Sequence, residues 1–289
     1  MKGIILAGGS GTRLYPLTKI ISKQLLPIYD KPMIYYPLSV LMMAGIRDIL
    51  FISSPHDISK FEQLFGDGSQ FGLHFEYMIQ QKPSGIAEAL IIGEEFIGKD
   101  QVTMILGDNI FYGHQLIEKI KTSHKHKKGA TIFAYKVSDP ARFGVVNFDA
   151  NHRVLSIEEK PQKPQSSYAI TGLYIFDHQS VCFAKQLKPS RRGELEITDI
   201  HNQYLAINQL NLQLLGRGHV WLDAGTHSSL LEASQFIETI ETRQNLKIAC
   251  LEEIAYNENY ISKNELEKMT NEYSNNSYKE YLLSLIEEY

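Results

Sequence analysis

Short apolar runs alternate with amphipathic segments through the first half of the chain. The runs have the length of buried strands and are followed by turn-forming residues, which predicts strands at residues 4–6, 49–52, 75–79 and 102–106. Between them, apolar positions recur with helical spacing over residues 32–44, 58–64, 85–96 and 113–121. This alternation predicts an α/β fold with a Rossmann-like, mixed but mostly parallel sheet and helices on both faces.

The pattern changes in the second half. Strand-like segments follow one another with little helix between them at residues 131–137, 145–149, 154–159 and 168–176, which predicts a small β-rich subdomain. Helical spacing returns near the carboxyl terminus, where Tyr278, Leu282 and Leu285 share an apolar stripe. We expect one domain over residues 1–245, with halves at about 1–130 and 131–245, and a C-terminal helical appendage over residues 246–289.

Composition narrows the classes of function. Apolar residues make up 43% of the 289 positions, which is typical of a soluble globular protein with a sizeable core. The net charge of −4 provides no basic field, so we expect no nucleic-acid partner. No apolar stretch is long enough to span a bilayer, and the residues before Gly8 are too few for a signal peptide. Cys182 and Cys250 are isolated, so we expect a reduced, cytoplasmic protein without a membrane partner.

A glycine-rich loop follows the first predicted strand, with the sequence Gly8-Gly-Ser-Gly-Thr-Arg13. Glycines let backbone N–H groups approach phosphate oxygens, and Arg13 adds a forked cation, so the loop favours polyphosphate binding. A P-loop requires a Gly-Lys-Ser/Thr ending, and a Rossmann fingerprint requires glycine where Leu14 stands. An ordinary strand-to-helix turn is the alternative interpretation of the same residues.

Two carboxylates also follow apolar segments. Asp108 and Asp223 come directly after predicted buried residues, and together with nucleotide phosphates they suit Mg²⁺. Each also stands in a sequence typical of an ordinary turn. Lys23 and Lys160 lie beside apolar segments, where a solvated surface charge is the usual outcome. No Ser or Cys has a His partner at a recognisable spacing, so the residues do not indicate a covalent nucleophile.

Several motifs in order resemble the sugar-phosphate nucleotidyltransferases. The first is the glycine-rich loop with Ser22-Lys-Gln-Leu-Leu-Pro27, and the similarity continues almost to the end of the chain. The other motifs are at residues 31–38, 106–114, 142–146, 158–161, 168–174, 192–199, 221–227 and 246–256. They are similar to the branch that transfers a thymidylyl group from dTTP to α-D-glucose 1-phosphate, giving dTDP-glucose and pyrophosphate.

The resemblance implies a role for each matching residue. The implied catalytic residues are Arg13, Lys23 and Lys160, and the implied ligands of Mg²⁺ are Asp108 and Asp223. The implied nucleotide-binding residues are Leu6, Gly8, Gly11, Thr12, Arg13, Gln80 and Gly85. The implied sugar-phosphate-binding residues are Gly144, Glu159, Lys160 and Ile170.

The resemblance also implies a homotetramer that is inhibited by the nucleotide sugar made later in the pathway. The chain departs from the family pattern at Lys82, Ser84, Phe143 and Ala224. The same chemistry with UTP or another sugar 1-phosphate is one alternative, and a non-catalytic sugar-nucleotide sensor is another. A sensor is expected to have lost a metal carboxylate or a phosphate-binding cation, whereas this chain has kept them.

Overall fold

The computed structural model describes residues 1–9 and 11–288, with the Glu288 side chain excluded. Ser10 of the glycine-rich loop and Tyr289 of the predicted appendage lie outside the described residues. The strands are β1 (Lys2–Leu6), β2 (Pro27–Ile28), β3 (Lys31–Pro32), β4 (Asp48–Ser53), β5 (His74–Ile79), β6 (Val102–Leu106), β7 (Asn109–Gly113), β8 (Ala130–Lys136), β9 (Gly144–Phe148), β10 (Val154–Glu159), β11 (Tyr168–Phe176), β12 (Leu210–Leu215) and β13 (His219–Asp223). The α-helices are α1 (Tyr35–Met43), α2 (Ile58–Phe65), α3 (Glu88–Ile92), α4 (Glu94–Ile97), α5 (Leu116–Ser123), α6 (Gln179–Gln186), α7 (Ile197–Ala206), α8 (His227–Gln244), α9 (Leu251–Asn257), α10 (Lys263–Glu272) and α11 (Ser277–Glu288).

One mixed sheet organises the molecule. Its parallel core has the order β6-β1-β4-β5, and the antiparallel strand β11 joins this core to β9, β10 and β8. Strand β12 continues the sheet by pairing in parallel with β8. The strands of the β-rich second half therefore extend the same sheet as the strands of the first half. Two short antiparallel ribbons, β2–β3 and β7–β13, lie off this sheet.

The side chains of successive residues in each central strand point to opposite faces of the sheet. Ile5 and Phe51 belong to a core with α1, α2, α5 and the C-terminal helices. Ile4 and Leu50 belong to a second core with α3, α4, α6 and α7. This alternation follows from the two-residue repeat of a strand. The predicted α/β fold with helices on both faces is confirmed.

Several predicted helices begin later in the structure than the apolar spacing indicates. Helix α1 begins at Tyr35 because residues 31–32 pair with β2 as a strand, and Pro37 lies in the first turn, where a missing N–H is tolerated. Helix α5 begins at Leu116 because residues 109–113 pair with β13. The predicted helix over residues 85–96 is two short helices that meet at Gly93. No helix among residues 1–9 and 11–288 is long and apolar enough to cross a bilayer.

A buried group of charges joins the C-terminal helices to the body of the protein. Lys31, whose side chain is only 3% exposed, pairs with Asp30 and, at 3.0 Å, with Glu241 of α8. Lys247 pairs with the same two carboxylates. Both ammonium groups lie over the ring of Tyr278 in α11, at 5.9 and 5.6 Å from its centroid. The β2–β3 ribbon, which follows Lys23 closely in the chain, is thereby fixed to α8 and α11.

Replacing Glu241 by Gln is expected to destabilise the fold by about 3 kcal/mol, because buried Lys31 loses one of its counter-charges. The measurement is the urea midpoint of the Glu241→Gln variant compared with wild type. Glu238→Gln, an exposed position on the same helix, is the matched control and should leave the midpoint unchanged. An unchanged midpoint for Glu241→Gln would show that these charges do not hold the ribbon.

Candidate active site

A cavity of about 450 Å³ opens at the carboxyl ends of β1 and β6. Ligands bind at this edge in open α/β sheets. Most of the predicted site residues meet there. Those that line the cavity are Leu6, Gly8, Arg13, Lys23, Gln80, Gly85, Asp108, Gly144, Glu159, Lys160, Ile170 and Asp223. Gly11 and Thr12 are not among the described lining residues.

The glycine-rich loop is shaped by close contacts. The Gly8 carbonyl accepts a hydrogen bond of 3.1 Å from Gln24, and a Cβ at Gly8 would lie 2.8 Å from Oε1 of Gln80. Gly11 has a φ of +60°, which favours glycine, and its carbonyl accepts a 2.8 Å hydrogen bond from Thr18. Gly11 therefore supports the loop from outside the cavity. The short 3₁₀ turn Thr12–Leu14 that follows carries Arg13 to the cavity wall.

Lys23 and Asp108 form an ion pair inside the cavity, with side chains only 14% and 10% exposed. Asn109 donates a second hydrogen bond of 3.0 Å to the Asp108 carboxylate. Burial alone raises the pKa of Asp108, but the Lys23 charge and these hydrogen bonds outweigh burial and hold the pKa below its usual value. Asp108 is therefore an anion at neutral pH.

Asp223 reaches the same place from a distant part of the chain. It lies opposite Asn109 in the β7–β13 ribbon, and the N–H of the next residue, Ala224, donates to the Asp108 carbonyl at 3.1 Å. Burial and then the negative charge of Asp108 raise the pKa of Asp223 from 3.8 to about 6, against the opposing charges of Lys23 and Arg13. The two predicted metal-binding carboxylates therefore share one cavity and repel each other.

This donor set fits a divalent cation that is completed by substrate. The described residues contain no cluster of three or more acidic, His or Cys side chains that could enclose a metal. Mg²⁺ is commonly held by one or two carboxylates, with phosphate oxygens and water as its other ligands. The mutual repulsion of Asp108 and Asp223 is relieved by a cation between them, so the residues present suit such an ion.

Asn109 organises a part of the cavity wall that sequence reasoning missed. Its side-chain oxygen accepts hydrogen bonds from the Trp221 indole at 2.6 Å and from the Gly172 N–H at 3.0 Å. The Trp221 ring packs edge-on against Phe143, with ring centroids 5.0 Å apart. Phe143, at which the chain departs from the family pattern, therefore forms an apolar part of the cavity wall. The only local signal for Asn109 and Trp221 is that they lie within two residues of Asp108 and Asp223.

The other end of the cavity collects the predicted sugar-phosphate residues. Burial and the neighbouring Glu196 carboxylate raise the pKa of Glu159. The positive charges of Lys160 and Arg192 lower it and offset part of this rise. Lys160 pairs with Glu159 at 3.6 Å, and Arg192 pairs with the same carboxylate at 3.2 Å. Arg192 and Glu196 stand in a charge-rich segment that could equally be read as a helix start from sequence alone. A Cβ at Gly144 would lie 2.9 Å from Cγ2 of Thr198 and 3.4 Å from Glu159, so glycine avoids crowding at this position.

The loop that carries Gly85 is held by a neighbouring backbone. Gly85 has a φ of +114°, and a Cβ there would lie 2.3 Å from the Leu195 carbonyl oxygen. Leu195 donates a 2.7 Å hydrogen bond to the Ser84 carbonyl, and its own carbonyl accepts one of 3.2 Å from Ala87. Only glycine allows this approach. Ser84, a departure from the family pattern, contributes through its backbone.

The shifted pKa of Asp223 predicts how stability depends on pH. At this group the native state binds more protons than the unfolded chain between about pH 4 and 6, so the contribution of Asp223 to stability falls as pH rises through this window. Above it, the ionised Asp223 costs on the order of 1–3 kcal/mol. Asp223→Asn should therefore melt a few degrees higher than wild type at pH 8 in EDTA, and the difference should shrink toward pH 4. A variant that melts at or below wild type at pH 8 would contradict this electrostatic description.

Comparisons with known proteins identify the family. The nucleotidyl transferase family model matches residues 2–240. The glucose-1-phosphate thymidylyltransferases of Neisseria meningitidis and Mycobacterium tuberculosis are 58% and 50% identical to this chain, over 99% of each chain. A Bacillus anthracis protein crystallised with sucrose is 45% identical, with a TM-score of 0.76 over 82% of this chain and 94% of its own. The chain belongs to the nucleotidyl transferase family and is a nucleotidyltransferase enzyme.

Proposed function

We propose that this enzyme transfers a thymidylyl group from dTTP to α-D-glucose 1-phosphate, releasing dTDP-glucose and pyrophosphate. The observation that carries the proposal is that one cavity holds the predicted nucleotide residues, the predicted sugar-phosphate residues, and Asp108, Asp223 and Lys23. The names of relatives that match the chain over 99% of its length support the same substrates.

The reaction needs positioning and charge neutralisation more than a protein nucleophile. An oxygen of the sugar phosphate, already anionic at neutral pH, forms a bond to the α-phosphorus. The bond from that phosphorus to the bridging β-phosphate oxygen breaks, and pyrophosphate leaves with the electron pair. We assign Arg13 to the departing pyrophosphate, Lys23 to the phosphates being exchanged, and Lys160 to the sugar phosphate. Each of these side chains lines the cavity.

We assign the divalent cation of this family to Asp108 and Asp223, and we propose that it is Mg²⁺. When bound, the ion supplies positive charge that stabilises the negative charge on the reacting phosphates. Lys23 is the partner of Asp108 in the structure, and we propose that its ammonium moves from the carboxylate to the phosphates when nucleotide and metal bind. The electrostatic coupling of the two carboxylates supports this assignment.

The base and the sugar are assigned to opposite ends of the cavity. We assign the nucleotide to Leu6, Gly8 and Gln80, with Gly85 shaping the loop that follows Gln80. We assign to Gly11 and Thr12 the role of keeping the glycine-rich loop in the shape that holds the phosphates. At the other end, Glu159 accepts hydroxyl hydrogen bonds, and Gly144 and Ile170 complete the sugar pocket.

We further propose a cytoplasmic homotetramer in which residues 246–289 mediate assembly and in which the later nucleotide sugar inhibits. Helix α11 of this segment meets the body at the charges around Tyr278, and Leu251, Leu266 and Leu282 are buried in the core beneath α1 and α2. A segment attached in this way can present its outer face to another subunit. Light scattering of the purified protein tests the assembly directly.

The choice of nucleotide tests the function. Pyrophosphate release is measured with Mg²⁺, α-D-glucose 1-phosphate and one of dTTP, UTP, CTP, GTP or ATP. Release should be greatest with dTTP and abolished by EDTA. UTP should follow closely, because the thymine methyl group is worth only about 1–3 kcal/mol in an apolar pocket. Folded protein that releases no pyrophosphate with any nucleotide would instead favour the sugar-nucleotide sensor.

The metal assignment predicts that Asp108→Asn lowers turnover by at least about 10²-fold, because a preorganised charge at the reacting phosphates is lost. The melting temperature should show that the variant still folds. Asp100→Asn, at a half-exposed carboxylate remote from the cavity lining, is the matched control and should retain wild-type turnover. Near-normal turnover of Asp108→Asn would remove Asp108 from the metal site.

A further inference from the structure

The Gln80 side chain has an orientation that its neighbours impose. Gln80 lines the cavity and is only 5% exposed. Its Nε2 donates to the Gly85 carbonyl oxygen at 3.1 Å and to Oε2 of Glu88 at 2.8 Å. A primary amide nitrogen has two hydrogens, so these two acceptors use both of them.

The two acceptors also prevent the amide from turning over. A backbone carbonyl never donates, and a glutamate carboxylate at neutral pH only accepts. Rotating the amide by half a turn would place Oε1 of Gln80 against both of them, with no hydrogen between. Oε1 is therefore held on the opposite side, toward the Gly8 backbone, where it presents an acceptor at the cavity wall.

Glu88 is well placed to act as this orienting group. It is the first residue of α3, and it is half-buried and not among the residues that line the cavity. The N–H of the preceding residue, Ala87, is bonded to the Leu195 carbonyl at 3.2 Å, which fixes the start of the helix. Glu88 therefore acts on a ligand only through Gln80, as a positioning residue.

An acceptor in a fixed position, here Oε1 of Gln80, can distinguish one pyrimidine base from another. Thymine and uracil carry a hydrogen on N3 and can donate to Oε1, whereas N3 of cytosine is itself an acceptor. A site built around a buried hydrogen bond rejects a base that leaves its polar group unpaired or faces it with a like group. We propose that Glu88 determines base specificity by locking the Gln80 amide with its oxygen toward the base, so that the enzyme accepts thymine and uracil and rejects cytosine.

The inference rests on the proposed function, because it places the base beside Gln80. The test is Glu88→Gln, which keeps the size of the side chain but can donate as well as accept, so that only the Gly85 carbonyl still opposes rotation of the Gln80 amide. The ratio of kcat/KM for dTTP to kcat/KM for dCTP should fall at least tenfold, mainly through better use of dCTP. Turnover with dTTP should stay within a few-fold of wild type.

Controls separate orientation from a merely structural role. Glu95→Gln, at an exposed position in the adjacent helix α4, should leave the ratio unchanged. Glu88→Ala also removes this acceptor and should lower the ratio in the same direction. If dTTP and dCTP activities fall by the same factor in both Glu88 variants, or if neither variant changes the ratio, the assignment to Glu88 is overturned.

Calorimetric measurement of nucleotide binding to the wild-type protein distinguishes a failure of the proposed function from a failure of the role assigned to Glu88. If the wild-type protein turns over dTTP but the Glu88 variants leave the ratio of kcat/KM for dTTP to that for dCTP unchanged, only the role of Glu88 is overturned. Protein that neither binds nor turns over dTTP, UTP, dCTP or CTP would overturn both the proposed function and this assignment.

Discussion

Two interacting carboxylates in one cavity, buried Asp108 and half-buried Asp223, are the feature on which the rest of the cavity depends. Lys23 holds Asp108 as an anion, and burial together with the Asp108 charge raises the pKa of Asp223. Arg13 and Arg142 offset part of this repulsion from the cavity wall. Such an arrangement costs stability in the ligand-free protein, and the cost is relieved when a cation and a polyphosphate complete the charge balance. The geometry therefore favours binding of metal and nucleotide together.

The sheet brings these charges together through its register. Leu6 and Leu106 are partners at the ends of the parallel strands β1 and β6, so the segments bearing Gly8 and Asp108 start at the same edge. The β7–β13 ribbon then returns Asp223 to that edge from more than a hundred residues later, opposite Asn109. The glycine-rich loop and two carboxylates thus converge without any of them lying close to the others in sequence.

The strands of the large sheet other than β12, and the positions of Asp108 and Asp223, could be predicted from local patterns, whereas the short strands β2, β3, β7 and β13 could not. Lys23 and Lys160 are singled out only by the family resemblance. Asp108 follows an apolar run at a strand end, and its position is visible in the sequence. The contact of Asn109 with Trp221 joins segments that meet only in the fold, and the contact of Glu88 with Gln80 depends on the conformation of the loop between them, so no spacing reveals either. The same reason explains the helix predicted from residue 113: its first residue belongs to strand β7, whose partner β13 is far away in the chain. Tertiary pairing overrode local preference there.

A direct displacement at the α-phosphorus inverts its configuration once, whereas a covalent enzyme intermediate gives two inversions and net retention. The cavity supplies cations and carboxylates for positioning, and the mechanism proposed for it needs no protein nucleophile. The most direct measurement uses a single diastereomer of dTTP with sulfur on the α-phosphorus, together with Mg²⁺ and α-D-glucose 1-phosphate. Phosphorus NMR then gives the configuration of the product. We predict net inversion; net retention would contradict a single displacement in this cavity.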